Sequence, residues 1–154
     1  MLFALNKVVF TGTKTKLQCV PVDGGRSDSK YVEAYYGRGI ARAFLGDKEN
    51  AINDFTTTLT LNPQHKDSYY NRGVQLLRKG EYKSAIDDFS KAIEIDPNYA
   101  SAYANRGSVY YGLNELTKSL EDLNKALTIA PVGWNVRTMV EQWIVQVKQK
   151  LQNH

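Results

Sequence analysis

A 34-residue period constrains this chain more than any other feature. Gly39, Gly73 and Gly107 stand 34 apart, and so do Pro63, Pro97 and Pro131. Tyr35, Tyr69 and Tyr103, the arginines Arg38, Arg72 and Arg106, and the apolar series Phe55, Phe89 and Leu123 share the register. Three units follow, 32–65, 66–99 and 100–133. A supersecondary unit of this length cannot bury its apolar face alone, so it must stack on copies of itself. The expected fold is therefore all-α, a solenoid, with one further element to cover the last unit.

Each unit reads as two helices. In the second, Tyr69, Gly73 and Leu76 form an apolar stripe at i, i+4, i+7, and Tyr82, Ala85, Ile86, Phe89, Ala92 and Ile93 repeat the spacing after a break at Lys79-Gly80-Glu81. Leu45-Gly46-Asp47 and Leu113-Asn114-Glu115 make the corresponding turns, with Gly or Asn supplying positive φ. Proline closes each unit, because the residue before it is steered away from the helical region. A mid-helix glycine costs about 1 kcal/mol relative to alanine. Its recurrence at 39, 73 and 107 predicts close helix approach, with Ala51, Ala85 and Ser119 as the small residues opposite. In the first unit Arg42 replaces an apolar stripe residue, which predicts a solvated face there.

Residues 135–151 supply the C-terminal cover: Val136, Val140, Trp143, Ile144, Val147 and Leu151 form one apolar stripe, with Trp134 just before it. Residues 1–30 do not fit the repeat, since extending the frame backwards puts Pro21 inside a helix. Val-, Phe- and Thr-rich stretches at 7–11 and 16–22 around a Gly-containing loop read as a β-hairpin, followed by a linker at 23–29. A lone hairpin is marginal in water. It would pack on the solenoid, pair with another copy to give a homodimer, or stay disordered; a segment cut from a longer protein is equally consistent. The domain reading is thus an extension at 1–30 and a repeat domain at 31–154.

The 154 residues carry 20 Lys and Arg against 16 Asp and Glu, a formal net charge of +4. That excess is not on the repeats. Residues 31–131 hold 12 basic and 13 acidic side chains, while residues 1–30 hold five and two and residues 132–154 hold three and one. A nucleic-acid groove needs Lys and Arg along the binding surface, so no nucleic-acid partner is expected. Inside the array, Arg38, Arg72 and Arg106 are each followed 16 residues later by Asp54, Asp88 and Asp122. The midpoints fall on the turn residues Gly46, Gly80 and Asn114, so each pair faces across an antiparallel helix pair. Three structural ion pairs are predicted, with the planar guanidinium suited to carboxylate.

The pattern resembles the tetratricopeptide repeat (TPR) family. It is carried by Y-x-x-R-G in each first helix, A-I-x-D-F in two of the second helices, and N-P, D-P or A-P at the unit ends, over about residues 31–131. The third unit departs from it, with Leu116, Ser119 and Leu123 where the second has Tyr82, Ala85 and Phe89. The resemblance implies a concave groove lined by the first helices and a protein or peptide partner. In this sequence the groove positions are Tyr36, Gly37, Ile40, Ala43 and Phe44, then Tyr70, Asn71, Val74, Leu77 and Arg78, then Ala104, Asn105, Ser108, Tyr111 and Gly112. Asn71 and Asn105 offer a carboxamide donor and acceptor that match a peptide backbone, as family members that hold extended peptides do; the alternative is that they solvate the helix face. Tyr36, Tyr70 and Tyr111 are candidate partner anchors, or packing between units. A subclass of the family grips acidic chaperone tails with Lys and Arg. Here those basic positions are Tyr36, Ser101 and Asn105, which argues against such a tail.

Catalytic chemistry finds little footing. His65 follows Asn62-Pro63, His154 is terminal, and Cys19 reads as a small apolar residue or an incidental thiol. There is no His-x-x-x-His or Cys-x-x-Cys, so no metal and no cofactor are expected. No apolar run approaches the roughly 18 residues of a membrane span, and the start lacks the marks of a secretory signal. A cytoplasmic, non-enzymatic interaction module follows. Two other readings stand beside it: self-association through residues 1–30, and the targeting arm of a larger enzyme.

Overall fold

The computed structural model describes residues 29–152. Seven helices occupy them in chain order: α1 (Ser29–Phe44), α2 (Lys48–Leu61), α3 (Lys66–Lys79), α4 (Tyr82–Ile95), α5 (Ala100–Gly112), α6 (Leu116–Ile129) and α7 (Arg137–Gln152). There is no strand among the described residues. The hairpin read at 7–22 and the dimer built on it lie outside them, as does Cys19. α1 begins at Ser29, inside the stretch read as linker, and α7 begins two residues after Asn135.

Turn chemistry sets the helix lengths. Gly46, Gly80 and Asn114 close the intra-unit turns at φ +80°, +82° and +63°, values that only glycine and, less often, asparagine adopt at low cost. Between units the helix ends where the residue before proline turns extended: Asn62 at φ −136°, ψ 93° and Asp96 at φ −133°, ψ 96°. Two helices, α3 and α2, open on a side-chain cap. The His65 ring nitrogen Nδ1 accepts from the Ser68 amide at 3.2 Å, and the Asp47 carboxylate accepts from that of Asn50.

α1 packs on α2, α3 on α4 and α5 on α6, and each pair stacks on the next. The recurrent glycines lie where the pairs come closest. A Cβ on Gly39 would stand 2.7 Å from the Phe55 ring, on Gly73 2.9 Å from the Phe89 ring, and on Gly107 3.0 Å from Leu123 Cγ. The side chains nearest the glycines are the large series Phe55, Phe89 and Leu123, all fully buried, which the small residues Ala51, Ala85 and Ser119 alone did not indicate. The small series is also fully buried, but a flat ring occupies the gap that the missing Cβ leaves.

α7 closes the stack. Val140, Ile144 and Val147 join Leu116, Leu123 and Ala126 in one apolar cluster, with Trp134 and Trp143 against it. Leu151, assigned to the same stripe, is 40% exposed. Arg42 departs from its expected solvated face. Its side chain is 16% exposed and donates to Asp54 at 2.6 Å, so Asp54 accepts from two arginines. No described helix is long and apolar enough to cross a membrane.

The glycine contacts give a paired prediction. Gly73→Ala should destabilise the protein by about 1–3 kcal/mol through overpacking against Phe89. Gly37→Ala, with nothing within 4 Å of the added methyl, should stabilise it by up to about 1 kcal/mol. Urea denaturation of the two variants checks the contrast.

Candidate functional site

Beneath the first helices lies a polar frame that repeats. Arg38 forks onto Asp54 through Nε (2.9 Å) and Nη2 (2.6 Å), Arg72 onto Asp88 (2.8 and 2.7 Å), and Arg106 onto Asp122 (2.7 and 2.8 Å). The three carboxylates are buried. Each guanidinium also lies over the tyrosine three residues before it, 5.0–5.7 Å from the ring centres of Tyr35, Tyr69 and Tyr103. Arg72 and Arg106 reach backwards as well, donating to Thr56 Oγ1 at 3.1 Å and Ser90 Oγ at 2.9 Å on the second helix of the previous unit. One side chain thus ties its own helix pair together and holds the neighbouring one. Burial pushes the Asp88 carboxyl above its ordinary value despite the downward pull of Arg72, while the bond to Asp88 raises Arg72 further. Desolvation of such a pair consumes much of what its attraction returns.

The face of the first helices carries a second ladder with an offset of 35 residues. Asn71 Nδ2 donates to Tyr36 Oη at 3.2 Å, and Asn105 Nδ2 to Tyr70 Oη at 2.9 Å. Asn71 Nδ2 also donates to the Asp67 carbonyl at 2.8 Å. The amide nitrogens are thereby engaged within the array, and the two amide oxygens make no hydrogen bond to any described residue. Each tyrosine ring stands about 6 Å from the buried phenylalanine of its own unit, Tyr36 at Phe55 and Tyr70 at Phe89. On its other side it meets an aromatic residue from the next turn: His65 at 4.7 Å from Tyr36, Tyr99 at 5.1 Å from Tyr70. The Tyr99 hydroxyl donates to Asp67 Oδ1 at 2.8 Å. In the third unit Ala104 takes the tyrosine position, so the ladder has two rungs.

The remaining groove positions divide. Val74 and Leu77 pack beside Tyr70 on the apolar cluster of Leu76, Phe89 and Val109. Ser108 donates to the Asn105 carbonyl at 2.7 Å. Ile40 is partly exposed, Phe44 is 91% exposed at the α1 terminus, and Arg78 is exposed at the end of α3. Tyr111 packs toward the α7 cluster, with Lys150 Nζ 5.1 Å from its ring centre. The fold brings Tyr36, Asn71, Tyr70 and Asn105 together and leaves Phe44 and Arg78 at the periphery. The backward bonds of the arginines and the stacking at His65 and Tyr99 were not anticipated. Their signal is the same period, since Thr56 and Ser90, and His65 and Tyr99, are each 34 apart.

Comparison with known proteins gives the same architecture. Models of the tetratricopeptide repeat match residues 32–65 and 100–132, and a TPR repeat model matches 75–114. The chain belongs to the tetratricopeptide repeat family. Among solved structures it is similar to the TPR2B domain of yeast Sti1 in a pHsp70 complex, at 27% identity, covering 79% of this chain and 98% of that one, with a TM-score of 0.74. It is similar in fold to the first TPR of Spaghetti (RPAP3) bound to the HSP90 peptide SRMEEVD (21% identity, 81% and 96% covered, TM-score 0.75). The Yersinia enterocolitica translocator chaperone SycD also shares the fold (18% identity, 81% and 88% covered, TM-score 0.77). No curated protein matches the chain significantly.

Two predictions follow. Arg72→Met leaves Asp88 buried without its partner and should cost about 3–5 kcal/mol in urea denaturation, whereas the double change with Asp88→Leu should recover most of the loss. Burial raises the hydroxyl pKa of Tyr36, Tyr70 and Tyr99, with the Asp67 carboxylate adding to the rise at Tyr36 and Tyr99. A hydroxyl raised on folding contributes stability below the ordinary tyrosine value of about 10, and that contribution is lost as pH climbs above it. In an alkaline titration, part of the tyrosinate absorbance should therefore lag and appear together with loss of helical circular dichroism.

Proposed function

We propose that this chain is a protein-interaction module that holds an extended segment of a partner protein across the face of α1, α3 and α5. The observation that carries this reading is the pair of Asn amide oxygens, at Asn71 and Asn105, that sit on residues bonded to tyrosine hydroxyls and have no hydrogen-bond partner among the described residues. Such oxygens accept from the N–H groups of a peptide backbone. Packed helix axes lie about 8–10 Å apart and an extended chain advances about 3.3 Å per residue, so the two rungs would engage backbone about three residues apart. Recognition of this kind reads chain extension before side-chain identity. Tyr36, Ile40, Tyr70, Val74, Ser108 and Tyr111 supply the flanking contact surface, with Phe44 and Arg78 at the periphery.

The family supports this reading, because the Sti1 and RPAP3 domains are in complexes with Hsp70 and Hsp90 peptides. An acidic tail is a poor fit to this face. Tyr36, Ser101 and Asn105 stand where Lys and Arg would be needed. The partner class is therefore an extended peptide other than an acidic chaperone tail.

Asn71→Ala with Asn105→Ala should weaken capture of peptide ligands by at least about tenfold, two lost hydrogen bonds at about 1 kcal/mol each. The helical signal should be retained. Peptides selected from a random library on the unmodified protein provide the ligand, and affinity unchanged in titration calorimetry would sink the groove reading.

A further inference from the structure

The groove is not electrically even. Glu33 and Asp67 stand 34 residues apart, at the same position in α1 and α3. Both lie beside the aromatic ladder. Asp67 accepts from the Tyr99 hydroxyl, and its own carbonyl shares the Asn71 amide with Tyr36. Glu33 reaches within 4.0 Å of His65, the ring stacked on Tyr36. The field of both carboxylates is felt at Tyr36, where each adds to the rise in hydroxyl pKa that burial produces. Neither carboxylate pairs with a described lysine or arginine. Lys66, the nearest cation in sequence to Asp67, feels its field, but the ammonium is bonded to Asp96 at 2.5 Å and lies over the Tyr99 ring. The Tyr36 ring is engaged by Phe55 and His65 and the Tyr99 ring by Tyr70 and Lys66, so what this rim offers is its two carboxylates, a charge that attracts ammonium and guanidinium groups and repels carboxylates.

Resting on the groove reading, we infer that the partner segment is basic: a lysine or arginine side chain docks at the rim formed by Glu33, Tyr36, Asp67 and Tyr99 while the backbone lies on the Asn71 and Asn105 rungs. The carboxylates supply the charge, with Asp67 held in place by the Tyr99 hydroxyl. Exposed ion pairs contribute little individually, so the rim selects among extended segments more than it binds them, and its contribution is screened by salt.

The test uses the full chain and a random peptide library displayed on phage. Selected peptides should be enriched in Lys or Arg. Glu33→Gln with Asp67→Asn should bind them about tenfold more weakly and with a flatter salt dependence. Asn at 67 keeps an oxygen for the Tyr99 hydroxyl, and the exposed Glu33→Gln alone should give part of the loss, so reduced binding is separable from unfolding. The synthetic peptide SRMEEVD should bind more weakly than the selected peptides. Selected peptides without basic residues, undiminished binding by the double variant, or SRMEEVD binding as tightly as the selected peptides would overturn the basic-partner inference and leave the groove standing. Failure to enrich any peptide, or binding indifferent to Asn71→Ala with Asn105→Ala, would remove the groove as well.

Discussion

The contact between a bare glycine Cα and the large buried side chain opposite it fixes the rest of the structure. With no Cβ at Gly39 or Gly73, the ring of Phe55 or Phe89 lies closer to the first helix than any side chain would allow. That spacing sets the two helices of a unit in register. The register brings each Arg fork onto the carboxylate 16 residues on. The fork in turn orients the guanidinium to reach Thr56 or Ser90 of the unit behind. Packing within one helix pair is thereby converted into stacking between pairs, and a shallow glycine gap sustains the whole array.

Much of this was legible in the sequence because it depends on spacing alone. The period gave the helix pairs, and symmetry about Gly46, Gly80 and Asn114 paired each arginine with its aspartate. Spacing does not say which residue fills a gap. Ala51 and Phe55 lie one turn apart on the same helix face and are both fully buried, and it is the larger of the two that comes nearest the glycine. Arg42 was misread for a related reason. A charged residue on an apolar stripe suggests a wet face, but Asp54 lies one helix away and accepts a second guanidinium.

The candidate groove was legible by position and less so by chemistry. Asn71 and Asn105 stand on the first-helix face, yet an asparagine facing a binding surface and one bonded to its neighbour look alike in a sequence. Here the nitrogen of each holds the preceding tyrosine, and the oxygen has no hydrogen-bond partner among the described residues. The tyrosines divide similarly. Their rings belong to the packing between units, and their partly buried hydroxyls accept from the Asn amide of the next unit. A residue of this kind resists sorting into core or site, since the stability of the stack and the shape of the face are set by the same side chains.

If the face holds an extended peptide as proposed, Ala104 in the tyrosine position gives it a fixed measure. Two rungs about three residues apart can gauge only a short stretch of extended chain. A ligand lengthened beyond it would find smooth helix and a tryptophan-flanked end in place of another hydrogen-bonding step. Affinity should plateau with peptide length after roughly half a dozen residues. On the proposed reading the array would work as a gauge block, cut to one size, with what it accepts decided as much by where the ladder stops as by what the ladder holds.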